Sequence, residues 1–203
     1  MPRIRAASIE EHKELTRREI MDAAVALFRA QGYQDTNLGD IAAYVGIGRT
    51  TLYEYFSDKE DVLVHVVEAS LPGVMDRMLG DLPDDLGERE RLGELIVRAL
   101  EYVSNDDDLG SMLMRQLPRL SAPAQDRIRL AHRRIEEEIV ETCRRGVEGG
   151  EFRAFDPGEV ARIVYALVMN ASQSLLRDVD AKQRVHATAD TVTRFVFDGL
   201  AVG

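Results

Sequence analysis

The chain has 203 residues, 45% hydrophobic and 31% charged, a balance that is typical of a globular protein with a sizeable core. Its net charge of −10 argues against indiscriminate coating of nucleic acid, and its single cysteine, Cys143, excludes an internal disulfide and a thiolate metal cluster within one chain. The longest uncharged run, residues 163–176, is too short and polar to span a bilayer, and the N-terminus lacks the apolar stretch of a secretory signal. We therefore expect a cytoplasmic protein with no membrane partner.

Helical periodicity dominates the sequence, and no segment shows the alternation that is typical of strands. We predict an all-α protein with about nine helices. The first helix covers about residues 10–31 and ends at Gly32, a residue that commonly terminates helices. The second helix covers residues 38–45, and Asn37 with Asp40 forms a capping box at its start, although Thr36 could also serve as the cap.

A turn at residues 46–48 separates the second helix from a third over about residues 49–55. Apolar residues in both short helices have the spacing to pack against helices 1 and 4, which leaves the other side of helix 3 exposed. Helix 4 opens at residues 57–60, where Ser57 and Glu60 resemble another capping box. Tyr33 and Tyr44 are expected to pack in or near this small core.

The remaining helices are longer. Residues 80–90 are acidic and contain proline and glycine, which predicts a loop. Helices 5 and 6 follow until Pro118 and Pro123 interrupt, and helix 7 carries Ile128, Ile135 and Ile139. Helix 8 begins at the cap and N1 proline of residues 156–157, and helix 9 follows Asp180.

Residues 16–60, TRREIMDAAVALFRAQGYQDTNLGDIAAYVGIGRTTLYEYFSDKE, carry a dense set of family-specific positions. The set includes Arg17, Gly32-Tyr33, Ile41-Ala42, Thr51-Leu52-Tyr53 and Lys59-Glu60 in matching order and spacing. The segment closely resembles the DNA-binding region of the tetracycline repressor (TetR) family. The resemblance implies a three-helix helix-turn-helix domain over residues 1–60 and a larger helical domain over residues 61–203 that senses a ligand and dimerises.

The resemblance further implies a homodimer that binds double-stranded, palindromic operator DNA and is released by a small-molecule effector. Repression is the expected outcome, and activation remains open. The alternative is a helical ligand-binding or enzymatic module that no longer uses its DNA-binding half. Nothing in the sequence argues for catalysis, because a G-x-S-x-G elbow, a P-loop and a G-x-G-x-x-G motif are all missing.

The candidate DNA-binding residues lie around the third helix and at the ends of its neighbours. Arg49 can reach a guanine edge or a phosphate, and the hydroxyls nearby can contact phosphate. The complete set is Arg17, Thr36, Asn37, Arg49, Thr50, Thr51, Tyr53, Tyr55 and Lys59.

Two residues depart from the family pattern, and one segment has an open role. Gly48 stands where a Ser or Thr cap is usual, and Glu54 either accepts from a cytosine amine or points to solvent; we favour solvent. Arg3 and Arg5 either form an arm that enters the minor groove or belong to a disordered tail.

The ligand-binding candidates combine flexible or amphipathic groups with polar neighbours on helices 5, 6 and 8. They are Tyr102, Met112, Gln116, Tyr165, Met169, Asn170 and Gln173, and for each of them a place in the core or in an interface is the favoured alternative. The four histidines lack paired metal-ligand spacing, so we expect neither a metal nor a cofactor.

Helices 8 and 9 are predicted to form the dimer interface. Both carry apolar residues on more than one side, and a small domain cannot cover both completely. Pairing with their two-fold mates would produce a four-helix bundle, with Phe195 and Phe197 projecting away from the main stripe of helix 9. The alternative is that helices 5 to 7 bury these surfaces within one subunit.

Overall fold

The computed structural model describes residues 6–80, 82–83, 85–104, 109–177 and 180–200. This part of the chain contains ten α-helices, one 3₁₀ turn at Leu117–Arg119 and no strand, which confirms the all-α prediction. The helices are α1 (Ala6–Gln31), α2 (Leu38–Val45), α3 (Arg49–Tyr53), α4 (Lys59–Gly80), α5 (Glu88–Ser104), α6 (Leu109–Gln116), α7 (Ala122–Ala131), α8 (Arg133–Glu148), α9 (Pro157–Leu175) and α10 (Ala181–Leu200). None of them, within the described ranges, is long and apolar enough to cross a membrane.

The tenth helix arises because the predicted helix 7 is two helices, α7 and α8. At His132 the backbone switches to tighter i to i−3 hydrogen bonds: its N–H donates to the Arg129 carbonyl at 3.1 Å, and its own carbonyl accepts from Ile135 at 3.0 Å. This change in the hydrogen-bond pattern ends α7 and begins α8 without a proline or glycine. The predicted helices 8 and 9 therefore correspond to α9 and α10.

Capping boxes were predicted at the N-termini of two helices, α2 and α4. At α2 the prediction is confirmed: Asn37 Oδ1 accepts from Gly39 N at 2.8 Å, and Asp40 Oδ2 accepts from Asn37 N at 2.9 Å. At α4 the prediction of Ser57 with Glu60 is wrong. Asp58 Oδ1 accepts from Asp61 N at 2.8 Å, and Asp61 Oδ2 accepts from Ser57 N at 3.1 Å, so carboxylates one residue further along satisfy the free N–H groups.

The chain forms two compact units. The first comprises the chain up to Ser70 together with Ser121–Ile128, and the second comprises Leu71–Leu120 and the chain from Arg129 onward. Sequence reasoning places a boundary at residue 60 and does not anticipate the contribution of Ser121–Ile128 to the first unit.

The hydrophobic core of the first unit contains residues from each of α1, α2 and α3. Ile20 of α1, Ile41 of α2 and Leu52 of α3 are fully buried, and Phe56 is nearly so. Tyr33 is also buried, with its ring centroid 5.0 Å from that of Phe28, as predicted. The matching expectation for Tyr44 is wrong, because this side chain on α2 is 63% exposed.

The second unit is a layered helical bundle with α5 at its centre. Helix α5 packs against α6, α8, α9 and α10, while α9 also packs against α6, α8 and α10. Leu92, Leu95, Ile96 and Leu100 of α5 are almost completely buried. A central helix with apolar residues at i, i+3, i+4 and i+8 is what this arrangement requires, since one helix must contact several neighbours.

Candidate DNA interface and effector site

Helix α3 presents its outer face because its inner face is anchored by a single buried leucine. Leu52 is fully buried, and its N–H donates to the Gly48 carbonyl at 3.1 Å. The preceding turn depends on Gly46, whose φ of +81° lies in the left-handed region that favours glycine. Its N–H donates to the Ala42 carbonyl at 3.0 Å, which ends α2 and turns the chain into α3.

The structure exposes three of the nine candidate DNA contacts on this outer face. Arg49, Thr50 and Tyr53 are exposed, and Tyr53 is 59% exposed despite its large ring. Thr51 and Tyr55 are half-buried, and Tyr55 lies just beyond the end of α3 rather than inside it as predicted. The result is a short ridge of guanidinium and hydroxyl donors.

Thr36 and Asn37 occupy the start of α2, where both side chains make bonds within the protein. Thr36 is only 1% exposed, and its hydroxyl donates to the Gly32 carbonyl at 2.8 Å while accepting from Gln31 Nε2 at 3.3 Å. Asn37 is exposed but caps α2. Of the two, only Asn37 has a side chain that DNA could reach without rearrangement.

Lys59 is held by the loop between α1 and α2. Its ammonium donates to the carbonyls of Tyr33 at 2.6 Å, Gln34 at 3.2 Å and Thr36 at 2.8 Å, and lies 4.3 Å from the Tyr33 ring centroid. Burial lowers the pKa of Lys59, and the Asp35 carboxylate opposes that shift. All three ammonium hydrogens are thus used, so this lysine can reach a phosphate only by giving up an internal bond.

Arg17 and Glu54 lie at the edges of the candidate interface. The Arg17 guanidinium carbon is 5.6 Å from the Phe56 ring centroid, and its Nε lies 3.6 Å from Glu14. Glu54 is exposed at the C-terminal cap of α3, in agreement with the preferred solvent-facing interpretation. Arg3 and Arg5 lie outside the described residues.

A cluster of charged residues within the first unit was not predicted from the sequence. Arg127 of α7 donates to Glu68 at 2.9 and 2.7 Å and to Asp61 at 3.1 Å, both on α4. Glu60 accepts from the Ser121 N–H at 3.0 Å and from its hydroxyl. These bonds join residues about sixty positions apart, so no local sequence pattern could have revealed them.

The candidate effector residues lie on three helices of the second unit, α5, α6 and α9. The Tyr102 ring of α5 lies against Gly110 of α6, where an added Cβ would approach the ring Cε1 to 2.5 Å. Gln116 is buried and Met112 is half-buried on the same α6. Tyr102 thus packs on α6, the helix that also carries Met112 and Gln116.

Candidates on α9 divide between two faces. Tyr165, Met169 and Gln173 are half-buried and spaced by four residues, so they form one stripe. Burial, assisted by Glu136 and opposed by Arg129, raises the pKa of Tyr165 to about 12. Asn170 is exposed instead and lines a groove of about 420 Å³ between α9 and α10.

The outer face of α9 and α10 retains large exposed apolar side chains. Ile163 is 57% exposed and Phe195 is 67% exposed, whereas Val164, Val168 and Val196 are buried inside the unit. Phe197 is also buried: its ring contacts the Cα side of Gly93, and the Arg89 guanidinium lies 4.5 Å from its centroid. The expectation that Phe195 and Phe197 both project outward is therefore wrong for Phe197.

Buried polar groups mark the interior of the second unit. Ser111, Thr142 and Ser172 are completely buried. Among the residues that the structure describes, the Ser172 hydroxyl has no hydrogen-bond partner. An unsatisfied buried hydroxyl carries a free-energy cost, so this side of α9 offers a polar anchoring point inside an apolar bundle.

Comparisons with known proteins agree with this organisation. Residues 20–66 match the family described as "Bacterial regulatory proteins, tetR family", and residues 85–173 match "Tetracyclin repressor-like, C-terminal domain".

Individual relatives extend over most of the chain. The fatty acid metabolism regulator protein of Bacillus subtilis is 23% identical over 90% of this chain and 94% of its own length. The HTH-type transcriptional repressor LfrR of Mycolicibacterium smegmatis is 26% identical over 89% of this chain and 90% of its own. The structure of FadR from Bacillus subtilis in complex with stearoyl-CoA aligns with a TM-score of 0.74 at 20% identity, covering 90% of this chain and 98% of that one. The chain belongs to the TetR family of bacterial transcriptional regulators.

Proposed function

We propose that this protein is a repressor that binds a palindromic operator as a homodimer and is released by a small-molecule effector. The observation that carries the proposal is the exposed ridge of α3, where Arg49, Thr50 and Tyr53 offer donors on a helix fixed by buried Leu52. A helix of this kind enters the major groove in helix-turn-helix proteins. The protein acts in the cytoplasm, and its role is regulatory rather than catalytic.

The DNA-binding part is residues 1–60, and residues 61–203 sense the effector and dimerise. Contacts to DNA come from Arg49, Thr50, Thr51, Tyr53 and Tyr55, with Arg17 and Asn37 at the edge. Thr36 and Lys59 support the domain from within, because their polar groups are bonded to the loop between α1 and α2.

Dimerisation uses the outer face of α9 and α10, the helices predicted from the sequence as 8 and 9. Exposed Ile163 and Phe195 support this assignment, since large apolar groups on a surface favour burial against a partner. A two-fold pairing of these helices forms a four-helix bundle and sets the distance between the two α3 helices, which must match successive major grooves about 34–36 Å apart.

We place the effector among α5, α6 and α9, because α6 and α9 contribute the buried hydroxyls of Ser111 and Ser172. The candidate effector residues on these three helices are Tyr102, Met112, Gln116, Tyr165, Met169 and Gln173. Apolar surroundings with a few polar anchors suit an amphipathic molecule. The complex of the Bacillus subtilis FadR with stearoyl-CoA makes a long-chain acyl-CoA the first effector to test. Asn170, on the α9–α10 groove, belongs with the dimer face in this proposal.

Operator selection tests the regulatory function directly. The full-length protein is incubated with a random duplex library, and the enriched sequence is measured by fluorescence anisotropy at several salt concentrations. We expect a palindrome bound as a dimer with affinity that falls steeply as salt rises. Stearoyl-CoA should weaken binding, whereas coenzyme A alone should not. Failure to enrich any sequence would favour a helical ligand-binding or enzymatic module.

A further inference from the structure

Gly39, the second residue of α2, lies in contact with the side chain of Arg49 at the start of α3. A Cβ added at Gly39 would lie 2.7 Å from both Cζ and Nε of Arg49 and even closer to Nη2. Atoms at van der Waals contact are separated by about 3.5 Å or more. The guanidinium therefore occupies the space that any other residue at this position would fill.

The position of this glycine is unusual for its secondary structure. Alanine is the better helix former, so a glycine within a short helix costs stability unless it meets another requirement. Its backbone N–H donates to Asn37 Oδ1 at 2.8 Å, a bond that any residue except proline could make. The close approach of the Arg49 side chain leaves no room for a Cβ at this position.

Arg49 itself retains its donors for another partner. Across the described ranges, its guanidinium makes no hydrogen bond or ion pair, and the residue is exposed. A long side chain with several rotatable bonds normally loses conformational entropy when it binds. Packing against Gly39 would limit the positions open to the guanidinium before DNA arrives, while leaving its N–H groups available.

We propose that Gly39 is a specificity-determining residue for operator recognition, because it seats the Arg49 guanidinium in the position from which it reads a base pair. This inference rests on the proposed function. A Cβ at residue 39 would force the guanidinium to retreat by roughly 1 Å. A bidentate contact to a guanine edge has strict geometry, so the preference for the correct base pair should fall even though Arg49 is still present.

A double-mutant cycle tests the coupling between the two residues. Wild type, Gly39→Ala, Arg49→Ala and the double variant are titrated with the selected operator and with a duplex altered at the base pair most affected by Arg49→Ala. Loss of a bidentate contact corresponds to roughly 5- to 150-fold in affinity. Gly39→Ala should reduce the preference for the operator at least about 5-fold in the presence of Arg49, with no further loss in its absence.

Gly73→Ala is the matched control, because Gly73 is also helical and its added Cβ would meet nothing closer than Arg77 Nη1 at 3.7 Å. It should leave operator preference unchanged. Equal losses from Gly39→Ala with and without Arg49, or no loss at all, would overturn the proposal while leaving the repressor function intact.

A second measurement does not use DNA. In the free protein, ¹⁵N relaxation of the Arg49 Nε–H group should report restricted motion in the wild type and greater motion in Gly39→Ala. If the Arg49 side chain moves freely in both proteins, Gly39 does not hold the guanidinium in place and the inference fails. If the wild type binds no duplex selectively, the proposed regulatory function fails, and the role of Gly39 in specificity fails with it. This conclusion holds even if relaxation shows that the Arg49 guanidinium is restricted.

Discussion

Replacing Lys59 with methionine separates two roles for this residue. As a phosphate contact, Lys59 would contribute to operator affinity and salt dependence. As an internal bond donor, it stabilises the first unit. The structure favours the second role, because the ammonium donates to the carbonyls of Tyr33, Gln34 and Thr36. Methionine keeps much of the aliphatic stem and removes only the charge and the donors.

The magnitude follows from the two shorter bonds. The bonds to Tyr33 at 2.6 Å and Thr36 at 2.8 Å are partly buried, whereas that to Gln34 is exposed. A hydrogen bond from a charged donor contributes about 1.5–3 kcal/mol, less where water can replace it. We therefore expect Lys59→Met to cost about 2 kcal/mol, which in a protein of this size lowers Tm by about 4–8 °C.

Thermal unfolding followed by circular dichroism measures the stability, and anisotropy titrations measure the salt slope. Lys13→Met is the matched control, because Lys13 is an exposed lysine of α1 in the same unit. Our expectation is a lower Tm for Lys59→Met alone, with the slope of log affinity against log salt unchanged. A normal Tm together with a slope shallower by about 0.9 would instead identify Lys59 as a phosphate contact and refute the reasoning.

Three further predictions follow from burial and charge. Phe195→Asp should give a folded monomer by light scattering with weakened operator binding, whereas Phe197→Asp should unfold the second unit; a dimeric Phe195→Asp with full affinity would place the interface elsewhere. Burial acts to raise the pKa of Asp61, but bonds from Ser57 N–H and Arg127 outweigh it and lower the pKa overall. The stability from Asp61 is therefore complete above its unfolded pKa of about 4 and lost as pH falls through the lower folded value, so Tm of Asp61→Asn should decrease less than that of wild type between about pH 5 and pH 2. Burial raises the pKa of Cys143 to about 11, so its reaction with a thiol reagent at pH 8 should be slow in the native protein and fast after unfolding; rapid native labelling would contradict this burial.

The DNA-binding region could be predicted because the features that form it are local in sequence. The capping pair of Asn37 and Asp40 is three residues apart, and Gly46 supplies the left-handed conformation that the turn requires. Apolar spacing of three and four residues indicates which side of each short helix is buried, and Leu52 and Phe56 follow it. The sequence was therefore sufficient to predict helices α2 and α3, the turn between them and the exposed ridge of α3.

Tertiary structure alone decided which of the candidate polar side chains keep donors that are not bonded within the protein. Thr36 and Lys59 match the candidate DNA contacts by position, yet their donors are bonded across the loop between α1 and α2. Sequence spacing cannot reveal such bonds, because Lys59 contacts carbonyls at least 23 residues away. The seat of Arg49 on Gly39 has the same origin: a missing Cβ acquires a consequence only when another helix brings a side chain to it.

The larger domain shows the same division between local and long-range information. Periodicity predicts its helices but not the break between α7 and α8 at His132. Ile128, Ile135 and Ile139 keep a helical spacing across this break, so the apolar pattern gives no sign of it. Phe195 and Phe197 share one residue type and one helix, and packing against α5 buries only Phe197. Sequence by itself determined that this chain is helical and where its helix-turn-helix lies, because those properties depend on neighbours within one or two turns. Which side chains stay exposed was decided by contacts between distant segments, since only those contacts remove a side chain from solvent.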